Sequence, residues 1–157
     1  IYELNRNFMV KEERKLRCLG IAIKKNEIWY SVVEGDRMDS AIIYETGKQN
    51  YRAESASLMM DFCNMFVELI TRYVPDRVTY KLYLDTNIKQ IPYMHYSLGV
   101  LNLICLQKGI KTIERSNSWI TAGKKAKIER FSSFFSPRKF NNDEMAATLV
   151  AWYGLEA

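Results

Sequence analysis

The chain has 157 residues, of which 48% are hydrophobic and 26% are charged, and its formal net charge is +5. These proportions are those of ordinary globular proteins, so they exclude a disordered segment and a coiled coil. The length favours one domain with a substantial buried core. No apolar run approaches the roughly 18 residues that a membrane span needs, which predicts an intracellular protein without a membrane partner.

The start of the chain is interpreted separately from the rest. The first residue is Ile1 and the first methionine is Met9. We interpret residues 1–15 as an extension or an expression remnant, and residues 16–157 as a single domain. The opening residues also lack the apolar core of a signal peptide.

Three short strands are predicted at the beginning of this domain. They cover residues 16–24, 27–34 and 40–46, and polar turns separate them. Strands joined by short polar turns indicate hairpins. The three strands therefore form a meander.

Helices and strands alternate after the meander. Apolar residues at three- and four-residue steps indicate helices, whereas short β-branched and aromatic runs indicate strands. The predicted helices are residues 54–73, 88–108 and 143–153 with a basic helical stretch within 121–139, and the strands are residues 77–84 and 110–113. The last helix has Met145, Leu149 and Tyr153 on its inner face. The order β β β α β α β α α predicts a mixed sheet covered on both sides by helices.

The cysteines and the single histidine do not indicate a zinc site or a catalytic triad. Cys18, Cys63 and Cys105 are far apart and lie among apolar residues, so we interpret them as reduced core thiols. His95 falls in the predicted helix 88–108, where a packed or interfacial role is favoured. A second histidine and a nucleophile motif are missing from the sequence, and so is a glycine-rich phosphate loop.

The positive charge is concentrated in residues 121–139. In this segment, six basic residues oppose only Glu129, so its net charge equals that of the whole chain. The basic residues are Lys124, Lys125, Lys127, Arg130, Arg138 and Lys139, and the phenylalanines among or beside them are Phe131, Phe134, Phe135 and Phe140. This composition suits a nucleic-acid-binding surface, on which the basic groups neutralise phosphates and the phenylalanine rings contact bases. A solvated basic helix whose phenylalanine side lies in the core explains the same residues, and both interpretations stay open.

Three stretches, together with the element order, resemble the RuvC-like branch of the RNase H-like superfamily. They are the hairpin CLGIAIKKNEIWYSVVEG, the segment from VTYKLYLDTN through SLGVLNLICLQKGIKTIERSNSWI, and the closing helix NNDEMAATLVAWYGLEA. The first hairpin is also similar to that of small bacterial RuvC-like proteins of uncharacterised function. The resemblance covers most of residues 16–155. It implies an α/β RNase H-like fold with a five-stranded mixed sheet, in which a three-stranded antiparallel meander joins two parallel strands between helices.

The resemblance also implies a particular chemistry. In active members, carboxylates from the first strand, the end of the fourth strand and the last helix hold two magnesium ions, which activate a water and stabilise the leaving oxygen. Carried over to this chain, the candidate catalytic residues are Asp85, Asp143 and the adjacent Glu144. Asp85 and Asp143 would then be the ligands of Mg²⁺ or Mn²⁺.

Two of the four carboxylates implied by the resemblance are missing. The first-strand position falls on Ala22, and a further position in the last helix falls on Ala146. Glu34 or Glu114 could compensate in principle, but strand pairing places neither at Ala22. Because magnesium requires hard oxygen ligands, an alanine cannot replace these acids.

The remaining acids also have structural explanations. Acids such as Asp143 and Glu144 are favoured at a helix start by the helix dipole, each by about 0.3–1 kcal/mol. Asp85, with Asn87, has the chemistry of a turn after a strand.

The first functional hypothesis is a catalytically degenerate RuvC-like domain without a cofactor. It would bind nucleic acid, DNA in preference to RNA, through the six basic residues, or serve as an interaction module in a nucleic-acid-processing complex. The alternative is an active divalent-metal-dependent nuclease, similar to a Holliday junction resolvase, with a shifted carboxylate site.

A third hypothesis is a protein-interaction module that forms a homodimer through helix 88–108, where Tyr93, Tyr96, Ser97 and Gly99 suit close helix contact. An ATP-using relative is disfavoured because the phosphate turn is missing.

Overall fold

A computed structural model of the chain describes residues 15–24, 26–51, 57–81, 91–116, 118–119 and 122–157. The strands in this part of the chain are β1 (Arg17–Lys24), β2 (Glu27–Glu34), β3 (Ile42–Asn50), β4 (Arg77–Lys81) and β5 (Lys111–Arg115). The helices are α1 (Leu58–Tyr73), α2 (Ile91–Lys108), α3 (Lys124–Phe135) and α4 (Asn142–Gly154), with a 3-10 turn at Met38–Ser40. These elements follow one another in the predicted order.

The described strands form one sheet in the order β3-β2-β1-β4-β5. β1, β2 and β3 pair antiparallel, whereas β4 runs parallel to β1, and β5 runs parallel to β4. The prediction of a five-stranded mixed sheet flanked by helices is therefore confirmed. Because β1, β4 and β5 run in the same direction, their carboxyl ends lie at one edge of the sheet.

β1 is buried on both faces because helices cover both sides of the sheet. Leu19 and Ile21 belong to a core cluster that they share with residues of α1 and α2. On the opposite face, Gly20 lies against α4. Side chains alternate along a strand, so Ala22 and Lys24 also belong to the α4 face.

A second core cluster packs α3 against α4 through aromatic side chains. Phe131 is fully buried, and its ring centroid lies 5.9 Å from that of Trp152 in α4. Phe134 stacks on Trp152 at 5.1 Å. The indole N–H of Trp152 donates to the carbonyl oxygen of Met38 at 2.8 Å. These two phenylalanines therefore hold α3 in place, as the interpretation of a basic helix with its phenylalanine side in the core predicts.

α4 approaches β1 so closely that only glycine fits where they touch. A Cβ atom on Gly20 would lie 2.8 Å from the Cβ of Ala151 and closer still to the carbonyl oxygen of Ala147. At the carboxyl end of α4, Arg77 donates to the carbonyl oxygen of Gly154 at 2.8 Å. Arg77 is the first residue of β4, which runs parallel to β1. α4 therefore runs antiparallel to β1, and its first turn lies near the carboxyl end of β1.

The boundaries of β3 differ from the prediction. It begins at Ile42 because Ser40 ends the preceding turn, where the Ser40 hydroxyl accepts from the Arg37 N–H and donates to the Arg37 carbonyl, each at 3.2 Å. It continues to Asn50, which pairs with Glu27 at the far end of β2.

Other predicted boundaries fall on residues outside the described ranges. These are the first turn of the helix predicted at 54–73, the end of the strand predicted at 77–84 and the start of the helix predicted at 88–108. Nearly all of the proposed extension, residues 1–15, also lies outside. None of the described helices is long and apolar enough to cross a membrane.

The predicted inner face of α4 is confirmed for Leu149, which is buried, and in part for Met145 and Tyr153, which pack against the second core cluster. Met145 and Tyr153 are only half-buried, whereas Ala147 and Ala151 are fully buried against the sheet. The reason is the close approach of α4 to β1, which admits only small side chains at the contact. His95 is exposed in the described structure, so of its two predicted roles, packed or interfacial, the interfacial one stays a prediction.

The interpretation of core thiols is confirmed for two of the three cysteines. Cys18 and Cys105 are fully buried and Cys63 is half-buried, all as free thiols. Burial raises the pKa of Cys18 to about 12 and that of Cys105 to about 11. Both thiols are therefore neutral and chemically inert at ordinary pH.

Replacing Gly20 with alanine tests the close approach of α4 to β1. The added methyl group would overlap the Ala147 carbonyl oxygen, so we expect Gly20→Ala to lower the free energy of unfolding by about 1–3 kcal/mol. Urea unfolding of the dilute protein measures this loss.

Gly99→Ala is the matched control. A Cβ atom on Gly99 meets no atom of the described residues within 4 Å, and alanine favours a helix by about 1 kcal/mol over glycine. This variant should be as stable as the parent or more stable. Equal loss of stability in both variants would contradict the packing.

Candidate functional site

A pocket of about 450 Å³ lies where the carboxyl ends of β1 and β4 meet α3 and the first turns of α4. Its polar lining consists of Lys24, Lys81, Lys124, Lys127, Asn142 and Asp143. Its apolar lining consists of Ile128, Met145, Ala146, Leu149 and Val150. Ligands of α/β folds commonly bind beyond the carboxyl ends of the strands, so this pocket is the candidate functional site.

The strand register places Ala22 and Lys81 side by side at this edge of the sheet. The last β1–β4 pair is Ile21 with Tyr80, so the next residues along the two strands are Ala22 and Lys81. Ala22 is 2% exposed, and no part of its side chain can bind a ligand by polar contact. The position where the resemblance implies a carboxylate thus carries a methyl group beside a lysine.

Lys24 forms an ion pair with Asp143 across the mouth of the pocket. The Lys24 Nζ lies 2.6 Å from the Asp143 Oδ1, and the Asp143 side chain is 22% exposed. Pairs that are partly open to water contribute only about 0.2–1 kcal/mol, so the contact matters more for charge than for stability. An ammonium group therefore occupies one oxygen of the carboxylate that the resemblance assigns to a metal ion.

The electrostatics of the pocket are dominated by lysine. Burial lowers the pKa of Lys81, and the charge of Lys124 lowers it further. Four lysines face a single carboxylate in the lining, so the pocket has an excess of positive charge. Such a concave, positively charged site attracts anions.

Lys127 also has a structural role. Its Nζ donates to the carbonyl oxygens of Trp119 and Ala122, the latter at 2.7 Å. The same Nζ lies 4.2 Å from the ring centroid of Trp119. Lys127 therefore ties α3 to the segment before it, which sets the position of this wall of the pocket.

Arg115, which pairs with Lys81 in the sheet, faces Trp119 and does not line the pocket. Its guanidinium carbon lies 4.4 Å from the Trp119 ring centroid. Burial lowers the pKa of Arg115, and its Nε finds no hydrogen-bond partner among the described residues. Arg115 thus supports the tryptophan and adds positive charge beside the pocket.

Glu144 does not join Asp143 in the pocket. Its carboxylate accepts from the Thr46 hydroxyl at 3.0 Å and lies 4.0 Å from Arg138. Its backbone N–H donates to the Asn141 side chain, which caps α4. Consecutive helix residues point about 100° apart, so adjacency in the sequence does not bring the two acids together.

Only two of the six predicted basic residues belong to the pocket. Lys124 and Lys127 line the pocket, and the others lie outside it. Those outside, all exposed, are Lys125, Arg130, Arg138 and Lys139.

The acids that could have compensated for Ala22 are engaged elsewhere. Glu34 accepts from Arg17 at 2.7 Å, near the opposite end of β1. Glu114 accepts from the Tyr80 hydroxyl at 2.9 Å, on the face of the sheet that α1 and α2 cover. Neither carboxylate therefore reaches the Ala22 position.

The described residues do not fit the two-magnesium site that the fold family implies. No group of three or more His, Cys, Asp or Glu side chains within the described ranges could hold a metal ion. The pocket offers Asp143 alone, already paired with Lys24, among lysines that repel cations. Asp85, the other predicted ligand, lies outside the described residues.

Comparison with known proteins gives a likeness of structure only. No family model and no curated protein matches the chain. RuvC of Thermus thermophilus in complex with a Holliday junction substrate has a TM-score of 0.70 at 11% identity, over 87% of this chain and 90% of that chain. The yeast mitochondrial Holliday junction resolvase has a TM-score of 0.66 at 15% identity, over 90% of this chain and 78% of that chain.

A viral protein has the same architecture. The fowlpox virus resolvase, solved with Holliday junction DNA, has a TM-score of 0.56 at 12% identity, over 88% of this chain and 98% of that chain. The chain therefore has an RNase H-like fold. Its structural neighbours are RuvC and other Holliday junction resolvases, which confirms the resemblance as a likeness of fold.

Sequence reasoning missed Lys24 and Lys81 as site residues. In the sequence alone, Lys24 falls at the end of the predicted strand 16–24 and Lys81 within the predicted strand 77–84, with no functional role predicted for either. The available signal was the alternation along β1, which places Lys24 on the same face as Ala22. For Lys81, the signal appears only once the register between β1 and β4 is known.

Proposed function

We propose that this chain is a RuvC-like domain that binds nucleic acid, DNA in preference to RNA, without divalent-metal catalysis of its own. The observation that carries the proposal is the lysine-lined pocket, in which four lysines accompany Asp143, the one carboxylate in the lining that the resemblance assigns to a metal ion. The solved structures of two neighbours hold Holliday junctions, which supports DNA as the partner. The domain would act within a larger nucleic-acid-processing complex.

Binding is expected to depend on phosphate charge and not on base sequence. Phe131 is fully buried and Phe134, Phe135 and Phe140 are half-buried in the core around Trp152, so these rings are committed to packing. The basic segment exposes the ammonium and guanidinium groups of Lys125, Arg130, Arg138 and Lys139, and such groups contact phosphates without reading sequence. Affinity should therefore fall steeply with salt.

Replacing Lys124, Lys125 and Lys139 with alanine tests this surface. The logarithm of the binding constant falls linearly with the logarithm of the salt concentration, and each lost phosphate contact should make the slope of this line shallower by about 0.9 for duplex DNA. The affinity should fall for all DNA sequences alike. Fluorescence anisotropy with labelled duplex and four-way-junction DNA, at several salt concentrations, measures both effects. Lys127 is left intact because it stabilises α3 through its contacts with Trp119.

The matched control removes the same charge elsewhere. Lys15, Lys108 and Lys111 are exposed and lie before β1, at the end of α2 and at the start of β5. Replacing these three with alanine should change the affinity and its salt slope much less. If both triple variants lose affinity equally, the binding depends only on net charge and the proposed surface is wrong.

The nuclease alternative rests on the resolvase fold of the neighbours and on Asp85 and Asp143. It predicts magnesium- or manganese-dependent cleavage of branched DNA at a shifted carboxylate site. The pairing of Asp143 with Lys24 argues against this site, since a metal ion would have to displace an ammonium group.

Cleavage assays on a four-way junction with magnesium or manganese separate the two functions. We expect the parent protein to leave the junction intact, and titration calorimetry to show no heat of magnesium binding. Asp143→Asn and Asp85→Asn are the controls. Metal-dependent cleavage that both variants abolish would establish the nuclease and overturn the degenerate site.

We further propose that two copies of the chain associate through α2. Tyr96, Leu103 and Leu106 are 52%, 56% and 79% exposed, and their spacing of seven and three residues places them on one stripe of the helix. Gly99 lies on the same stripe, with open space above it within the described structure. In a two-fold dimer the same stripe would pack against itself.

Charge on this stripe should separate the copies. We expect Leu103→Glu with Leu106→Glu to give a monomer, because a buried carboxylate pair opposes association. Sedimentation velocity at micromolar concentration compares this variant with the parent and with Leu98→Ala, a core change. A parent protein that is monomeric under these conditions would rule out the dimer.

A further inference from the structure

The lysine-lined pocket has two distinct halves. Lys24 and Lys81 reach it from the ends of β1 and β4, and Lys124 and Lys127 reach it from α3. The apolar half is formed mainly by α4, through Met145, Ala146, Leu149 and Val150, with Ile128 contributed by α3. A ligand that fills this pocket must therefore be anionic at one end and largely apolar along its body.

The volume of the pocket suits more than a phosphate group. At about 450 Å³ it falls within the range of roughly 300–1,000 Å³ that is typical of small-molecule sites. A nucleotide has the matching division of chemistry, because the ring faces of its base and the carbon atoms of its sugar are weakly polar, whereas its phosphate is charged.

From these features we propose that the pocket receives the phosphorylated end of a nucleic-acid strand. The lysines hold the terminal phosphate monoester, and the apolar half supports the sugar and base of the terminal nucleotide. This inference rests on the proposed nucleic-acid-binding function and names the part of the strand that this site recognises.

A monoester fits the charge of the pocket better than an internal phosphodiester. A phosphate monoester carries a charge of about −1.5 to −2 near pH 7, whereas each internal phosphate of a strand carries −1. Lys81 and Lys124 are close enough for the charge of Lys124 to lower the pKa of Lys81. A doubly charged group between them relieves that repulsion, while the carboxylate of Asp143 already satisfies part of the charge of Lys24.

The ion pair of Lys24 with Asp143 leaves Lys81 and Lys124 as the main partners of a phosphate in the pocket. An internal phosphodiester offers these two ammonium groups two unesterified oxygens and a single negative charge. A terminal monoester has three free acceptor oxygens and can contact Lys81 and Lys124 even while Lys24 stays paired. The pocket is therefore biased toward strand ends.

The test compares strands that differ only at one end. Short single-stranded DNA oligomers with a 5′-phosphate, a 3′-phosphate or hydroxyl groups at both ends compete against a labelled phosphorylated oligomer in anisotropy assays. We expect one phosphorylated end to bind about tenfold more tightly than the hydroxyl end, the effect of one added charge-assisted contact. The ratio of the affinity for the phosphorylated strand to the affinity for the hydroxyl-ended strand should fall to about one in Lys81→Met. It should fall less in Lys24→Met.

Lys125→Met is the matched control, since Lys125 is exposed and outside the pocket. It should weaken phosphorylated and hydroxyl-ended strands by the same factor and leave the ratio unchanged. Urea unfolding of each variant verifies that the fold is intact, and if Lys81→Met fails to fold, Lys124→Met replaces it.

The outcomes distinguish this inference from the proposed function. If strands bind but the ratio is one in the parent protein, the end-binding pocket is wrong and nucleic-acid binding stands. If no strand binds, the proposed function fails as well. A free nucleoside monophosphate that competes as strongly as the phosphorylated strand would overturn the assignment to strand ends and identify the mononucleotide as the ligand.

Discussion

The contact between α4 and β1 at Gly20 determines the geometry of the site. Because residue 20 has no side chain, the backbone of Ala147 can lie directly on the strand. The first turn of α4, with Asp143, then reaches the carboxyl end of β1, where Lys24 is located. The pocket thus depends on a backbone contact about one helical turn away from its polar residues.

A pocket at this edge of the sheet can bind either cations or anions, depending on whether carboxylates or ammonium groups line it. A pair of magnesium ions needs several hard anionic oxygens in close order. Here the same edge of the sheet presents Ala22, Lys24 and Lys81, so the side chains themselves supply an excess of positive charge. A phosphate can then be bound directly by ammonium groups. Among the described lining residues only Asp143 is a carboxylate, and it is paired with Lys24, so the charges of this pocket favour anion binding over metal binding.

Much of the fold could be predicted from the sequence because its patterns are local. The meander is predicted by the polar turns, and the helices are predicted by the apolar periodicity. The absence of an acid at position 22 can be inferred by carrying the carboxylate positions of the RuvC-like branch over to this sequence. The composition of the pocket depends on contacts between distant segments. Lys81 becomes a site residue through its register with β1, and Glu144 is separated from Asp143 by the helical rotation. Burial of Phe131, not its spacing, decides its role.

The carboxyl edge of the parallel strands carries three basic residues, Lys24 at the end of β1, Lys81 at the end of β4 and Arg115 at the end of β5, with Lys124 close to Lys81. This charge distribution makes one edge of the molecule more positive than the rest. That edge therefore attracts a polyanion over a distance, before the two molecules are in contact. Encounters would therefore begin in a preferred orientation. Added salt would slow the rate of association more than it speeds dissociation, since steering acts over the distance that ions screen.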